Sequence, residues 1–593
     1  MTLKQRQILF SGAIGVINLI LFQNCTGSFS AAPSITGPSN MEAPTSNPVL
    51  SPTPGLSSTP GSSTSPTPSA SPGAVGSTQF VPLHTYYISP NGSDSNNGTS
   101  LATAWASPNH AVECGDVIIA AAGSYKSFQN FGAVSACPSN SGGINGSGGI
   151  YFATLLCGGS YVGACSIVGT GSANAGGIDI DSNNWAVEGW KVSQGYSTSQ
   201  SGFAFVMDTS GIPNGYTGVR HHIAFINNIA YNNANAFGSQ NQGQNNGSGY
   251  GVDYWAIVGN IAQNSAGRCD GYYDAAIDII GTKNYDKNSG THIFASQNFS
   301  YNNLQPAGCN GTDGESMMTD TLDALDYTNT VVIKNNVLAG AERFGMQMFY
   351  QGLSVNPLTL KFYNNTLYGN NVGPASSVGN TCGWAQGGIN IQSSATAIPW
   401  NISVYNNIDQ ETVAACLGTP NYPVYPLVMG TSQSAPYSNT VTIGGTGLQN
   451  IFLGKATTCQ GPFCAGSGAG NNSAVSFDSS NDLGINTYSN PMFNNASDLV
   501  MNRYGTPDCS NFNNVVACMG WNNATQTATN PSTIYDLTPA AAGTAGKGYL
   551  PPGACAADSD YPAWLKGIVY LQWDPSTGTI TENPGLITKP CDL

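Results

Sequence analysis

The chain has 593 residues and a formal net charge of −15, from 16 Lys and Arg against 31 Asp and Glu. Charged residues make up 8% of it, where ordinary globular domains carry roughly 25%. So few cations exclude a basic stripe for nucleic acid, and so few charges of either sign exclude a long salt-bridged helical protein. Apolar residues at 40% still supply a sizeable core, so wholesale disorder is excluded as well.

The N-terminus reads as an export signal. Lys4 and Arg6 precede the 15-residue apolar run Ile8–Phe22, which is short of the about 20 residues that a membrane span needs. Cys25 follows in LILFQNC. This string resembles a bacterial lipoprotein signal, which implies removal of residues 1–24, lipidation of Cys25 and a place on the bacterial cell envelope. It departs from that pattern at Asn24, where a small residue is usual; an ordinary cleaved signal is the alternative. Residues 25–78 are Ser, Thr, Pro and Gly with hardly an aromatic or a charge. They have too little apolar surface to bury and are expected to form a disordered stalk.

Setting Cys25 aside leaves 14 of the 15 cysteines, an even number that in an exported chain reads as disulfides. Pairing sequence neighbours gives Cys114–Cys137, Cys157–Cys165, Cys269–Cys309, Cys382–Cys416, Cys459–Cys464, Cys509–Cys518 and Cys555–Cys591. There is no CxxC and there are five His, which argues against a zinc site.

From residue 79 short strand-like segments recur, each closed by a polar pair: FINNIAYNNA, IVGNIAQNSA, FASQNFSYNN, VIKNNVLAGA, KFYNNTLYGN and SVYNNIDQET. The second members of the pairs are Asn228, Asn260, Asn298, Asn336, Asn365 and Asn407, spaced by 32, 38, 38, 29 and 42 residues, with Gly189 one step earlier. A fixed strand–turn unit with variable spacing predicts a solenoid whose loops differ in length. Its asparagines are expected to stack as an amide ladder, about 4.8 Å per coil. A β-propeller would require a more regular period and is the weaker reading.

Three strings carry a family resemblance. TYYISPNGSDSNNGTSLATAW (Thr85–Trp105), CGDVIIAAAGSY (Cys114–Tyr125) and NPMFNNASDLVMNR (Asn490–Arg503) are similar to the opening and closing coils of right-handed parallel β-helix proteins of the pectate-lyase superfamily. The resemblance implies an all-β parallel β-helix over 79–503, followed by a disulfide-rich C-terminal cap or accessory region over 504–593. It does not fix an activity. The NTD, GHG and RIK strings of polygalacturonases and the RxPxxR string of one pectate-lyase family are absent, which disfavours a polygalacturonase-type hydrolase.

Nine acidic residues fall between Asp270 and Asp326: Asp270, Asp274, Asp278, Asp286, Asp313, Glu315, Asp320, Asp323 and Asp326. That is about three times the density of the whole chain. Carboxylates on adjacent coils repel unless a cation neutralises them, and hard oxygen donors suit Ca²⁺. The expected ligands are Asp270, Asp274, Asp278, Asp313, Glu315 and Asp320. A solvated acidic face and a purely structural calcium site are the alternatives. For β-elimination from a uronate, the family resemblance implies a cationic base, for which Arg343, Lys283 and Lys334 are the nearest candidates. A hydrolase using two of Asp274, Asp278, Asp320 and Asp323 stays open.

An apolar-then-polar step recurs at Val252-Asp253, Ile277-Asp278, Met318-Thr319, Met346-Gln347 and Ile389-Asn390, which would turn each second side chain outward. Asp253, Gln347 and Asn390, with Tyr272 and Trp384 as stacking surfaces, make a surface suited to sugars; Tyr273, Phe344, Phe349 and Tyr350 lie nearby in sequence. Packing of these rings in the core is the alternative. Two function classes follow: a surface or periplasmic polysaccharide lyase acting on acidic glycans, or a non-catalytic adhesin or glycan-binding lipoprotein. In either case a monomer, a polysaccharide partner, no nucleic acid and membrane contact only through the lipid are expected. Metabolic labelling with a fatty-acid analogue checks the anchor: the label is expected on the wild-type chain and absent from Cys25→Ser.

Overall fold

The computed structural model describes residues 81–137, 151–159, 162–169, 176–193, 196–197, 200–201, 203–208, 218–240, 251–265, 275–303, 314–322, 327–350, 357–370, 387–393, 399–411, 425–431, 441–444, 450–454, 493–495, 521–522, 527–528, 536–539, 560, 562–565 and 571–582. The signal, Cys25 and the stalk lie outside them. Among the described residues the chain winds through three long parallel sheets: sheet I of eleven strands, sheet II of ten and sheet III of eight. One coil runs Val219–Ile226 in sheet I, Ile229–Tyr231 in sheet II and Asn235–Gln240 in sheet III, and the next begins at Gly251–Val258 in sheet I again. Each strand pairs in parallel with its counterpart one coil away, and parallel crossovers of this kind wind right-handed. The chain is a right-handed parallel β-helix.

Period-two alternation places the core. In sheet I the residues Trp185, Ile223, Trp255, Ile293, Val331, Leu360, Ile402 and Val441 stand in one register column. All of them are buried in a single hydrophobic cluster. Such columns make up the interior of the solenoid, where each burial of a large aliphatic or aromatic side chain contributes about 1.5–3 kcal/mol.

The corners between sheets I and II explain the repeating asparagines. The first residue of each pair turns the backbone left-handed: Gly189, Asn227, Gly259, Gln297, Asn335, Asn364 and Asn406 all have φ between 51° and 80°. Gly189 thus matches the first member of a pair, and Trp190 occupies the ladder position. The second residues form the expected ladder. Asn298 accepts from the backbone N–H of Asn260 at 3.0 Å and from its Nδ2 at 3.1 Å. Its own Nδ2 donates to the Ile257 carbonyl at 2.8 Å and to Asn336 Oδ1 at 2.9 Å. The same pattern links Asn228, Asn260, Asn298, Asn336, Asn365 and Asn407, and the ladder runs one rung further, to Asn450. A partial second ladder lines the next corner through Asn233, Ser265 and Asn303, and again through Asn370 and Glu411.

The opening string forms a cover for the first strand. Thr85–Ile88 pairs with Val117–Ala120 on one side. On the other, the Tyr87 N–H donates to the Gly98 carbonyl, and Trp105 and Ser89 add two further backbone bonds. The Trp105 ring is stacked between Tyr86 and His110, at 4.7 and 3.9 Å between ring centres. Gly98, with φ of 70°, leaves room for that indole. An edge strand that would otherwise offer its backbone to another chain is closed.

Two expected disulfides are present, Cys114–Cys137 and Cys157–Cys165. The other five pairs, Cys269–Cys309, Cys382–Cys416, Cys459–Cys464, Cys509–Cys518 and Cys555–Cys591, lie outside the described residues. Of the expected closing string only Phe493–Asn495 is described, and it pairs antiparallel with Asp536–Pro539.

The described part of the C-terminal region runs as a strap along the outer face of sheet I. Asp560 pairs with Lys361 at 2.6 Å, and Trp564 donates its indole N–H to the Thr291 carbonyl at 2.9 Å. Further along, the Leu571 N–H donates to Glu188 at 2.7 Å. The hairpin of Leu571–Asp574 and Thr579–Glu582 then buries Trp573 and Ile580 against Val117, Ile119 and Leu156. The strap therefore covers the apolar outer residues of the first coils, which would otherwise face water.

The ladder predicts a measurable cost. Asn298→Ala removes four buried hydrogen bonds and is expected to destabilise the chain by about 2–4 kcal/mol in urea unfolding. Asn401→Ala, at an exposed strand position, is expected to stay within about 0.5 kcal/mol.

Candidate functional site

Sheet III carries the polar face read from the sequence. Its inward residues Ile277, Ile279, Met346, Met348, Ile389 and Ile391 belong to the core. Alternation then turns the residues between them to the outer face. One outer register column runs Asp179, Val206, Gly238, Asp278, Met318, Gln347 and Asn390. A second runs Ile280, Asp320, Phe349 and Gln392, all partly exposed.

The structure corrects two of the apolar-then-polar steps. In Met317–Asp320 it is Met317 that stands beside Ile277, so Met318 takes the outer position and Thr319 the inner one. A run of two methionines hides the phase of alternation. Asp253 lies in the sheet I strand Gly251–Val258, on a different face from Gln347 and Asn390.

In the first column Gln347 and Asn390 are brought to neighbouring strand positions, Met318 separates them from Asp278, and all three polar residues are buried. Gln347 donates its amide to Gln392 at 3.4 Å, while its carbonyl oxygen has no hydrogen-bond partner among the described residues. Asn390 is 0% exposed, and neither its amide nitrogen nor its oxygen has a partner among them. Leaving both ends of a buried amide unmet costs about 1–3 kcal/mol per group. Of the expected stacking rings, Phe349 is partly exposed and Tyr350 belongs to the core, edge-on to Trp400 at 5.4 Å. Phe344 is buried too. Tyr272, Tyr273 and Trp384 lie outside the described residues.

The acidic and cationic candidates are spread out. Glu315 sits just before Met317–Asp320, buried, and accepts the Gly314 N–H at 2.9 Å. Burial pushes its carboxyl up and the positive charge of Arg343 offsets part of that rise. The Arg343 backbone N–H donates to the Gly314 carbonyl, so Arg343 and Glu315 meet just before the adjacent strands Met317–Asp320 and Met346–Tyr350. Asp278 and Asp320 lie on adjacent strands in different columns. Among the described residues no three His, Cys, Asp or Glu side chains form a group that holds a metal; Asp270, Asp274 and Asp313 lie outside them. Lys334 is on the outer face of sheet I, buried, with Nζ 5.5 Å from the Phe294 ring centre. Lys283 follows the strand Ile277–Ile280 and bonds through its backbone N–H to Val252. The three cationic candidates therefore occupy three separate places.

A second polar cluster, on sheet I, was not read from the sequence. The rings of Tyr151, His222, Tyr254 and His292 stack in turn along the axis, with centres 4.9, 4.4 and 3.8 Å apart. Asp253 accepts from the Tyr285 N–H at 2.7 Å and the Tyr254 N–H at 3.0 Å, and pairs with His292 Nδ1 at 2.9 Å. Burial raises the Asp253 carboxyl and His292 partly offsets it. Burial, and then Arg220, lowers His221 to about 4; burial lowers His222 as well. His222 and Tyr254 are held at φ of 53° and 44°, a strained region for such side chains. Trp564 of the strap closes over both rings edge-on, at 5.7 and 5.6 Å. The available signal was His221-His222, two of five histidines side by side, one coil before Asp253-Tyr254.

No family model and no curated protein matches the chain. Among solved structures it is similar to pectate lyase Pel9A, at 13% identity and a TM-score of 0.33, over 82% of this chain and 96% of that one. It is similar also to a rhamnogalacturonan lyase, at 13% identity and a TM-score of 0.32, over 55% of this chain and 82% of the other. A GH136 lacto-N-biosidase from Eubacterium ramulus matches at 9% identity and a TM-score of 0.24, over 60% and 68%. These are likenesses of fold, and the chemistry has to be read from the chain's own faces.

Proposed function

We propose that the chain is a carbohydrate-active β-helix protein of the bacterial cell envelope that binds an acidic polysaccharide along the outer face of sheet III. The supporting observation is Asn390, a fully buried amide in the outer column with neither end bonded by a described residue. Folding alone does not reward such a group, because an apolar residue of similar shape would avoid the desolvation cost. Sugar hydroxyls both donate and accept, and an amide answers both. Gln347 and Gln392 continue the same polar surface on the neighbouring positions. The amide itself is covered, so a glycan reaches it from the partly exposed second column of Asp320, Phe349 and Gln392, whereas on sheet I the strap lies over the outer face.

The chain's net charge of −15 repels an anionic glycan, so a bridging cation belongs to this reading. Oxygen donors of the kind calcium takes stand at two places along the column, the Asp278 carboxylate at one and the adjacent amide oxygens of Gln347 and Asn390 at the other, with Met318 between them. They are fewer than the 6–8 that its shell requires. Asp270, Asp274 and Asp313 are the acids proposed to make up the number. If the bound glycan is cleaved, Arg343 is the candidate base that precedes a strand of this sheet, Met346–Tyr350, and its charge already acts on Glu315. The adhesin reading uses the same face without cleavage.

Calorimetry with a uronate polymer, with and without calcium, tests this. Asn390→Leu is expected to weaken binding about tenfold or more while leaving the melting temperature unchanged or higher, the opposite pairing to a purely structural residue. Asp278→Ala is expected to lose the calcium dependence. Absence of binding by the wild type with or without calcium rejects the reading, and unsaturated products seen by ultraviolet absorbance separate a lyase from an adhesin.

A further inference from the structure

Two carboxyl groups point into the core of the last coils. Asp409 lies in sheet II on the strand Ile408–Glu411, in register with Leu367 on one side and Phe452 on the other. Both neighbours belong to the hydrophobic cluster. Two residues on, and so on the same side of the strand, stands Glu411. Each is 0% exposed. Glu411 is held by Asn370, whose backbone N–H donates at 2.6 Å and whose Nδ2 donates at 2.9 Å. Neither Asp409 oxygen accepts from any described donor. The Glu411 carboxyl, two residues on and on the same side of the strand, is the group that acts on it, and two carboxyls bond to each other only while one carries a proton.

We infer that a proton shared between Asp409 and Glu411 is a structural element that keeps the last coils closed, and that raising the pH opens them. Two bare carboxylates side by side in an apolar interior repel and lack solvation, whereas one proton between them removes the repulsion and supplies the missing donor. The opening reaches sheet III directly. Gly388 is the second residue of the strand Gly387–Ser393, and a Cβ at that position would clash with both oxygens of Asp409. The absence of a side chain there lets the strand that carries Asn390 rest on the acid pair. The link to glycan binding rests on the function proposed above; the lock itself does not.

Among the described residues, the groups facing the pair include no cation. From the preceding coil come Leu367, Tyr368 and Asn370; from sheet III, Gly388; from the following coil, Phe452 and Gly454. Among the described residues, the one further titratable group acting on the pair is the Tyr368 phenol, whose proton is held more tightly by its burial and by Glu411. Burial, and then Glu411, raises Asp409 well above the usual carboxylate range. Burial raises Glu411 to about 7, against the pull of Asp409 and Asn370.

The sign follows. In the unfolded chain both carboxyls have lost their protons above about pH 5, while the folded pair keeps at least one, so stability is full in acid and falls as the pH rises. Each proton retained only in the folded state costs a tenfold fall in the local closing constant per pH unit.

Hydrogen exchange from pH 5 to 9, corrected for the intrinsic rate and read without any glycan, tests the lock. In the wild type, protection over 387–393 and 408–411 is expected to fall about tenfold per pH unit or more relative to 219–226. Asp409→Leu, which continues the Leu338 and Leu367 column, is expected to abolish most of that slope. Should that variant not fold, Glu411→Gln is expected to reduce the slope by one proton. A wild-type slope of zero, or equal slopes in the wild type and the folded variant, overturns the inference.

Discussion

A solenoid has to turn its backbone three times per coil without leaving peptide groups unbonded in its interior, and that requirement shapes most of what is seen here. At the corner between sheets I and II the left-handed residue lifts the chain out of both ladders, so the following N–H and the carbonyl of the coil before have no strand partner. A side-chain amide meets both needs, since it accepts at one end and donates at the other. Repeated at every coil, it also bonds to its own copy. The charge-poor, Asn-rich composition follows from this: a carboxylate could accept in that place but not donate, and a stack of carboxylates would repel.

That constraint also decides what was legible. Asn228 through Asn407 could be read because the ladder tolerates one residue type and one local geometry, whatever the length of the loops between. The phase of the strands was harder. Ile277-Asp278 and Ile389-Asn390 declare their inner and outer residues, whereas the paired Met317 and Met318 do not, and the outer position was assigned one residue late. Asp253 went to the wrong face because an apolar-polar step looks alike in sheets I and III. The stack of Tyr151, His222, Tyr254 and His292 was invisible for a further reason. Its members meet through two strained residues inside strands, which no period-two pattern announces.

The three outer faces are put to different uses. Sheet II is built from short strands, many of three residues, bounded by the two polar corners. Sheet I is long, carries apolar and aromatic side chains outward, and is closed by the strap. Sheet III keeps a polar column with an unmet amide. Buried charge follows the same division. Glu188 and Asp253 on sheet I are each satisfied locally, by Leu571 and by His292 with two backbone donors. Asp409 and Glu411 instead depend on each other.

The strap carries a consequence for how the chain reaches its native state. Coils of a solenoid touch their nearest neighbours, so such arrays can form in sequence and fray one coil at a time. Here Leu571 bonds to Glu188 across 383 residues, and Trp573 rests on Val117 and Leu156 from still farther along the chain. The earliest coils cannot finish their outer surface until nearly the last residues have been made. Until then Val117, Ile119 and Leu156 are open to other chains, a long-range dependence that slows maturation and favours a chaperone during folding. Once seated, the strap ties first and later coils together, so an opening at one end is resisted by contacts at the other.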